Sequence, residues 1–343
     1  MKAVSYRTTG PSSVLELGER DEPHPAPGEV RVRMHVSGVN PTDWKSRSGG
    51  GRLTELDAPH VPNQDGAGVV DEVGPGVTGF AVGDRVWVWD AAYQRPDGTA
   101  QELVVLPVRQ VVPLPDDVSF DAGASLGIPA LTAHIALTAS DRAPRELAPG
   151  ALSGVVVLVA GGAGAVGHAA IQLAVWAGAT VITTVSSPEK AALARAAGAH
   201  HVVDYRAEDA AAAIRRLAPH GVDIVAEVNP AANLGLDAEV AALDATVAIY
   251  ADNGEPVVVP VRPSMGKNIR YRLLLTYTTA ADAKDAAVRA VAAAVADGAL
   301  SVGADAGLPI TRFPLAQTAA AHDAVEAGTV GKVLIDVGSG AAG

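Results

Sequence analysis

Apolar positions change rhythm along the chain, and the changes mark out its elements. From Met1 to about Val112 they come in short alternating runs, of which Val30-Arg31-Val32-Arg33-Met34-His35-Val36 is the clearest. Alternation of this kind predicts strands with one buried face. Residues 1–6 and 14–18 read as further strands, and 21–28 (DEPHPAPG) as a proline-broken loop. Residues 65–88, where glycines alternate with valines, read as a curved, bulged sheet. Pro41 is placed to open a short helix, and 48–52 (SGGGR) is expected to be mobile. Between 116 and 138 the period becomes helical, with Leu131, Ile135 and Leu137 on one apolar face.

From Gly154 the rhythm changes again. Val155 to Ala160 is an unbroken apolar run, suited to a strand buried on both faces of a parallel sheet. Strands are predicted at 180–185, 201–204, 222–228, 245–251 and 270–276, with helices at 189–197, 207–217 and 234–243 between them. This alternation predicts an α/β architecture with a doubly wound parallel sheet. Helices at 280–297 and 315–327 and a strand at 332–337 are expected to rejoin the N-terminal sheet, because the nucleotide-type domain is already complete. The expected domains are therefore 1–124 with 280–343, and 125–279 inserted between them.

The first strand of the second domain runs into Gly161-Gly162-Ala163-Gly164-Ala165-Val166-Gly167 and then a small-residue helix. Strand, glycine turn and helix together point to a dinucleotide site, against a purely structural tight turn. Gly161 and Gly162 would let the chain turn sharply and a phosphate approach. Gly164 and Gly167 would let the helix pack close to the sheet, and the free N–H groups at the first turn of the helix would receive a pyrophosphate.

Composition narrows the possibilities. The 343 residues are 48% hydrophobic and carry a formal charge of −12, which argues against nucleic acid or an anionic membrane as partner. No leader and no apolar span of transmembrane length stands out, so a cytoplasmic protein is expected. With no cysteine, disulfides, thiolate catalysis and cysteine-ligated zinc are all ruled out. The nine histidines form no recognised ligand set, so no metal is expected.

The acid that binds the NAD ribose usually ends the second strand, about 20 residues past the glycines. Here the chain reads Val185-Ser186-Ser187-Pro188-Glu189-Lys190, two hydroxyls and a cation, and Tyr205-Arg206 follows the third strand at the same sheet edge. Each charge alone would be an ordinary solvated residue, and Ser186-Ser187 an ordinary helix cap. Their convergence favours NADP, with Tyr205 stacking on adenine or bonding the 2′-phosphate.

With the glycine turn, the missing acid and Val36-Ser37-Gly38-Val39-Asn40-Pro41-Thr42-Asp43 in view, the chain resembles the zinc-free quinone oxidoreductases. These are the zeta-crystallin-like branch of the medium-chain dehydrogenase/reductase superfamily. The resemblance runs through Asp65 to Arg85, Pro129-Ala130-Leu131-Thr132-Ala133 and Gly331-Lys332-Val333, and so covers nearly the whole chain. It implies a Rossmann domain inserted in a GroES-like catalytic domain. Where zinc-dependent relatives have Gly-His-Glu, this chain has Asn63-Gln64-Asp65.

The resemblance also implies residue roles. Asn40 and Pro41 would sit near the nicotinamide, Thr132 would face its ribose, and Gly162, Ala163, Gly164, Ala165 and Val166 would hold the pyrophosphate. Ser187, Lys190, Tyr205 and Arg206 would hold the 2′-phosphate, beside the Ser186 hydroxyl that the residue pattern itself offers. Ile249, Tyr250, Ala251 and Asp252 would cover the nicotinamide, and Lys332 would approach the cofactor. A tyrosine acid that several relatives carry has no counterpart in Trp44-Lys45-Ser46-Arg47. A homodimer is suggested, through the edge strand at 270–276.

The expected activity is NADPH-dependent hydride transfer to a quinone or other conjugated carbonyl. The alternatives are a dedicated enoyl or enone reductase, and a non-catalytic NADPH-binding sensor or structural protein. Asn40 is the candidate catalytic residue, as donor to a phenolate or enolate oxygen; the competing role is an Asx turn before Pro41. Trp87, Trp89 and Tyr93 would line an aromatic substrate cleft, or the two tryptophans would share an ordinary core face. Asp65 would orient a ribose or a loop, or act structurally.

Overall fold

A computed structural model describes residues 1–338 as two compact units: Met1–Ile128 with the chain from Ile310 onward, and Pro129–Pro309. No helix among the described residues is long and apolar enough to cross a membrane.

The second unit is built on a six-stranded parallel sheet. Its order is His201–Asp204, Thr180–Val185, Val156–Ala160, Val222–Glu227, Ala241–Ile249 and Arg270–Leu273. Numbered along the chain this is 3-2-1-4-5-6, the doubly wound Rossmann order, with the reversal between the first and fourth strands. Val157, Leu158 and Val159 are buried, as an unbroken apolar run in a central parallel strand must be. Small residues let the helix Ala165–Trp176 lie close on the sheet, with Ala170, Ile171, Leu173 and Ala174 fully buried.

Several elements depart from the sequence expectations. The helix expected at 234–243 runs from Pro230 to Val240, and the next strand, Ala241–Ile249, follows without a loop. Pro230 supplies a ready first turn. The early stop is held by Lys267, whose Nζ donates to the carbonyls of Ala238, Glu239 and Ala241. The short helix Val261–Lys267 lies where the sequence pattern predicts no element, and the edge strand ends at Leu273, short of Thr276.

A further departure moves a domain boundary. The helix Ala281–Ala296, expected with the N-terminal sheet, groups with the second unit. Its Arg289 pairs with Glu146 and its Asp282 with Arg145. Just beyond it, Asp297 accepts from Trp176 Nε1, and Ser301 exchanges hydrogen bonds with Gln172 on the glycine-turn helix. Residues 280–309 are thereby tied to the nucleotide-type unit.

In the first unit the long strand Glu29–Val39 organises the sheet. It pairs antiparallel with Asp65–Val73, with Leu103–Pro107 and, at its end, with Lys332–Asp336. Ile310–Pro314 extends the sheet on one side, and Arg85–Val88 with Val111–Pro113 on the other. Two register shifts between Glu29–Val39 and Asp65–Val73 give the bulged, curved sheet that the glycine–valine alternation predicts. Residues 55–60, for which the sequence pattern predicts no element, form a strand paired with Lys2–Thr8. Trp87 and Trp89 are both buried, which places them in the core of this unit.

Candidate dinucleotide site and a buried polar cluster

The glycine turn leaves the end of Val156–Ala160 at Gly161, whose φ of +70° suits a residue without Cβ. The division of labour among the glycines differs from expectation. A Cβ on Gly162 would lie 2.2 Å from Thr183 Oγ1, and one on Gly167 would lie 2.5 Å from the Gly161 carbonyl. These two permit the close helix–sheet approach. Gly164 is the helix N-cap, and a Cβ there would meet only Gly161 O at 3.5 Å. Its bareness leaves the first-turn N–H groups of Ala165, Val166 and Gly167 open to an anion. A pyrophosphate fits this bare helix start.

The ends of the second and third strands lie in register, Val185 opposite Asp204, and Tyr205 N donates to Val185 O. Lys190 Nζ donates to Ser186 Oγ at 3.1 Å, and Ser187 Oγ caps the helix by accepting from Lys190 N. The Ser187 hydroxyl also holds the exposed Glu189 carboxyl below its usual range. Tyr205 is 51% exposed, and Arg206 N donates to Asp204 Oδ1. Ser186, Lys190, Tyr205 and Arg206 thus occupy one sheet edge, with no acid at the end of the second strand.

Thr132 is buried, and its hydroxyl bonds Thr276 Oγ1 at 2.6 Å. Around the fourth and fifth strand ends, Tyr250 N donates to Glu227 O, Asn253 Nδ2 to Asn229 Oδ1, and Gly254 N to Asp252 Oδ1. Ile249 O accepts from Leu274 N. Sequence reasoning misses the acid beneath these loops. Glu227 is fully buried and accepts from Asn229 N and Asn233 Nδ2. Burial, then the neighbouring Glu227 charge, pushes Asp237 well above its usual range. Burial and Glu227 also raise the Tyr250 phenol. The legible signal is an acid directly after the apolar run Ile224-Val225-Ala226 at the carboxyl edge, where such sheets bind ligands.

In the first unit Asn40, Asp43, Asp65 and Lys332 form one buried cluster. Asn40 is the N-cap of the helix Pro41–Ser48, and its backbone N–H donates to Asp43 Oδ2 at 2.7 Å. Its side-chain Nδ2 donates to Asp65 Oδ2 at 2.6 Å, and its Oδ1 accepts from Lys332 Nζ at 2.7 Å. Asp65 Oδ1 accepts from Ile128 N, and Lys332 Nζ reaches Val39 O at 3.3 Å. Burial raises Asp65 to about 6 against the pull of Lys332 and the Asn40 bond. Burial and the Asp65 charge raise Asp43 to about 8, and burial lowers the Lys332 ammonium. Lys332, expected to point at a cofactor, is turned inward and is 1% exposed.

Asn63-Gln64-Asp65 serves the same interior. Asn63 has a φ of +78°, bonds His322 Nε2 through Oδ1 and donates to Ser37 Oγ, while Gln64 Oε1 accepts from Ala92 N. Among the described residues no group of three His, Cys, Asp or Glu could hold a metal ion.

Known proteins match both units. The family described as "Alcohol dehydrogenase GroES-like domain" matches residues 26–116, and "Zinc-binding dehydrogenase" matches 165–304. A quinone oxidoreductase of Rattus norvegicus is 31% identical, over 98% of this chain and 97% of its own. Two bacterial proteins match over less of their length. A quinone oxidoreductase of Pseudomonas aeruginosa is 38% identical over 63% of this chain and 62% of its own, and a 2-haloacrylate reductase of Burkholderia is 34% identical over 66% and 65%. Among solved structures, a mycobacterial protein complexed with NADPH has a TM-score of 0.79 at 30% identity, over 98% of this chain and 99% of its own. An NAD-dependent alcohol dehydrogenase has a TM-score of 0.83 at 29% identity, over 98% and 100%.

Proposed function

Since the chain belongs to the quinone oxidoreductase branch of the medium-chain dehydrogenase/reductase superfamily, we propose that it is an NADPH-dependent reductase of quinones or other conjugated carbonyls, working without a metal. The observation that carries the cofactor choice is the sheet edge where Ser186, Lys190, Tyr205 and Arg206 converge. Hydroxyl and cation donors suit a 2′-phosphate, and an NAD site would want an acid there.

The nicotinamide, when bound, supplies the hydride. The chain's own residues bind and orient. Bare N–H groups at 165–167 hold the pyrophosphate, and Ser186, Ser187, Lys190, Tyr205 and Arg206 hold the 2′-phosphate. Thr132, with its hydroxyl on Thr276, and residues 249–252 serve the nicotinamide half, and the family resemblance assigns Asn40 and Pro41 to the nicotinamide as well. Reduction of a quinone or an enone leaves charge on an oxygen, which then takes a proton. A carboxamide hydrogen-bonds but supplies no proton, and the tyrosine acid of several relatives has no counterpart in residues 44–47, so that proton comes from water.

Similarity to the 2-haloacrylate reductase favours a second reading, reduction of the carbon–carbon double bond of a conjugated acid or carbonyl. A panel of quinones, enones, haloacrylates and enoyl thioesters, followed by loss of NADPH absorbance, separates the two readings. Tight NADPH binding with no oxidation across the panel would instead identify a non-catalytic binding protein. Oxidation of NADH as efficient as that of NADPH would sink the cofactor assignment. A homodimer through Arg270–Leu273 belongs to the same proposal, since among the described residues that edge strand pairs only with Ala241–Ile249, and Leu273 is 80% exposed.

A further inference from the structure

We infer that Lys332 and Asp65 are positioning residues that lock the Asn40 carboxamide in one of its two flips, fixing the junction between Glu29–Val39 and Pro41–Ser48 before any ligand arrives. The inference deepens the reductase reading and rests on it, because that junction is the surface assigned to the nicotinamide.

The two ends of a carboxamide have nearly the same shape, so only hydrogen-bond partners can tell them apart. Lys332 can only donate and an ionised Asp65 can only accept. With Nζ at 2.7 Å from Oδ1 and the carboxylate at 2.6 Å from Nδ2, reversing Asn40 would set like against like at both ends. Both clamps are themselves fixed. Lys332 Nζ also lies 3.7 Å from Asp65 Oδ2 and bonds Val39 O, and Asp65 Oδ1 is held by Ile128 N.

Backbone clears the space for each clamp. A Cβ on Gly38 would come within 2.2 Å of Ala124 O and 3.2 Å of Lys332 Cε and Nζ. A Cβ on Gly127 would come within 2.1 Å of Asp65 Oδ1. Burying an ammonium and a carboxylate is a poor route to stability, since apolar groups of equal volume often do as well. What the charges add is direction. At 1% exposure Lys332 cannot serve as a surface cation, and its shortest hydrogen bond is to Asn40.

The test uses the full-length protein, Lys332→Met and the charge-neutral pair Lys332→Met with Asp65→Asn. Selective 15N-asparagine labelling follows the Asn40 side-chain amide, assigned by its loss in Asn40→Ala. In the wild type one Nδ2 hydrogen should be shifted downfield by the carboxylate. In the double variant, which leaves no buried charge unpaired, the thermal midpoint should return close to that of the wild type. The amide signal should nevertheless collapse towards that of an unbonded amide. NADPH affinity should stay within about threefold, and turnover with the best acceptor should fall by about tenfold or more. A purely structural role predicts that turnover recovers with stability. An unmoved Asn40 signal, or turnover within about twofold of the wild type in the folded double variant, would overturn the inference. If the wild type reduces no acceptor the reductase reading fails, and the amide signal alone then decides whether the clamp exists. If the double variant does not fold, the Asn40 signal in Asp65→Asn alone decides: displacement supports the clamp and an unmoved signal refutes it.

Discussion

Replacing Lys190 by alanine removes the cation beside Ser186 while leaving the local fold in place. Ser187 accepts from the backbone N–H of residue 190, so the cap survives, and alanine is the better helix former. A charge-assisted hydrogen bond to a phosphate contributes about 1.5–3 kcal/mol. Two unit charges about 4 Å apart would interact by about 4 kcal/mol at the effective dielectric of a protein surface, before any desolvation is subtracted. Lys190 is half-buried, so the lower part of the range applies, about 1.5–2 kcal/mol or a 10–30-fold rise in the NADPH dissociation constant. NADH lacks the phosphate, and its dissociation constant should move by less than about twofold. Titrations following nicotinamide fluorescence measure both. The gap should narrow as salt rises to about 0.5 M, because an exposed ion pair is screened. Equal weakening of both cofactors would make Lys190 a structural residue, and no change in either would mean that the phosphate binds elsewhere. Either result refutes the reasoning.

Other consequences are as direct. Gly167→Ala puts a Cβ 2.5 Å from a backbone carbonyl that cannot rotate away; it should cost about 1–3 kcal/mol of stability, read from the thermal midpoint, and weaken NADPH and NADH alike. Burial holds His134 at about 4 and His322 at about 3, below the unfolded value, so their contributions disappear as pH falls from about 6.5 through those values. Asp43, raised to about 8, has the opposite sense: its contribution is complete below about pH 4 and is lost as pH rises to 8. Denaturant unfolding across this range should show that Asp43→Asn removes a decline in stability spread over about pH 4 to 8 and leaves the slope below about pH 4 unchanged. Leu273→Asp on the open edge strand should convert a dimer to a monomer in light scattering without loss of NADPH binding; a wild type that is already monomeric would dismiss that edge as an interface.

What is legible in the sequence is whatever depends on local period and local chemistry. An unbroken apolar run, a glycine turn and a small-residue helix specify one another within a short stretch of chain, and the parallel sheet follows from repeating that unit. Boundaries fail where a distant side chain decides them. The stop at Val240 is held by Lys267, which lies 26 to 29 residues from the carbonyls it bonds. The allegiance of Ala281–Ala296 is invisible for the same reason. Its alanine–valine face would suit either unit, and its partners Arg145 and Glu146 lie 137 and 143 residues away.

Lys332 shows where residue-level reading stops. Its type marks it as a candidate ligand group, yet a lysine on a strand gives no sign of which face it takes, and burial of an ammonium is rare enough that exposure is the natural expectation. The deciding information lies in glycines that look ordinary. By sequence Gly38 is part of a strand end and Gly127 has no role. In the fold, each leaves open the volume that a charged group on another segment occupies. A glycine that needs no positive φ and makes no turn is often there to admit something. Asking what each such glycine admits points to Lys332 and Asp65 as an inward pair, and hence to Asn40 as the group they hold.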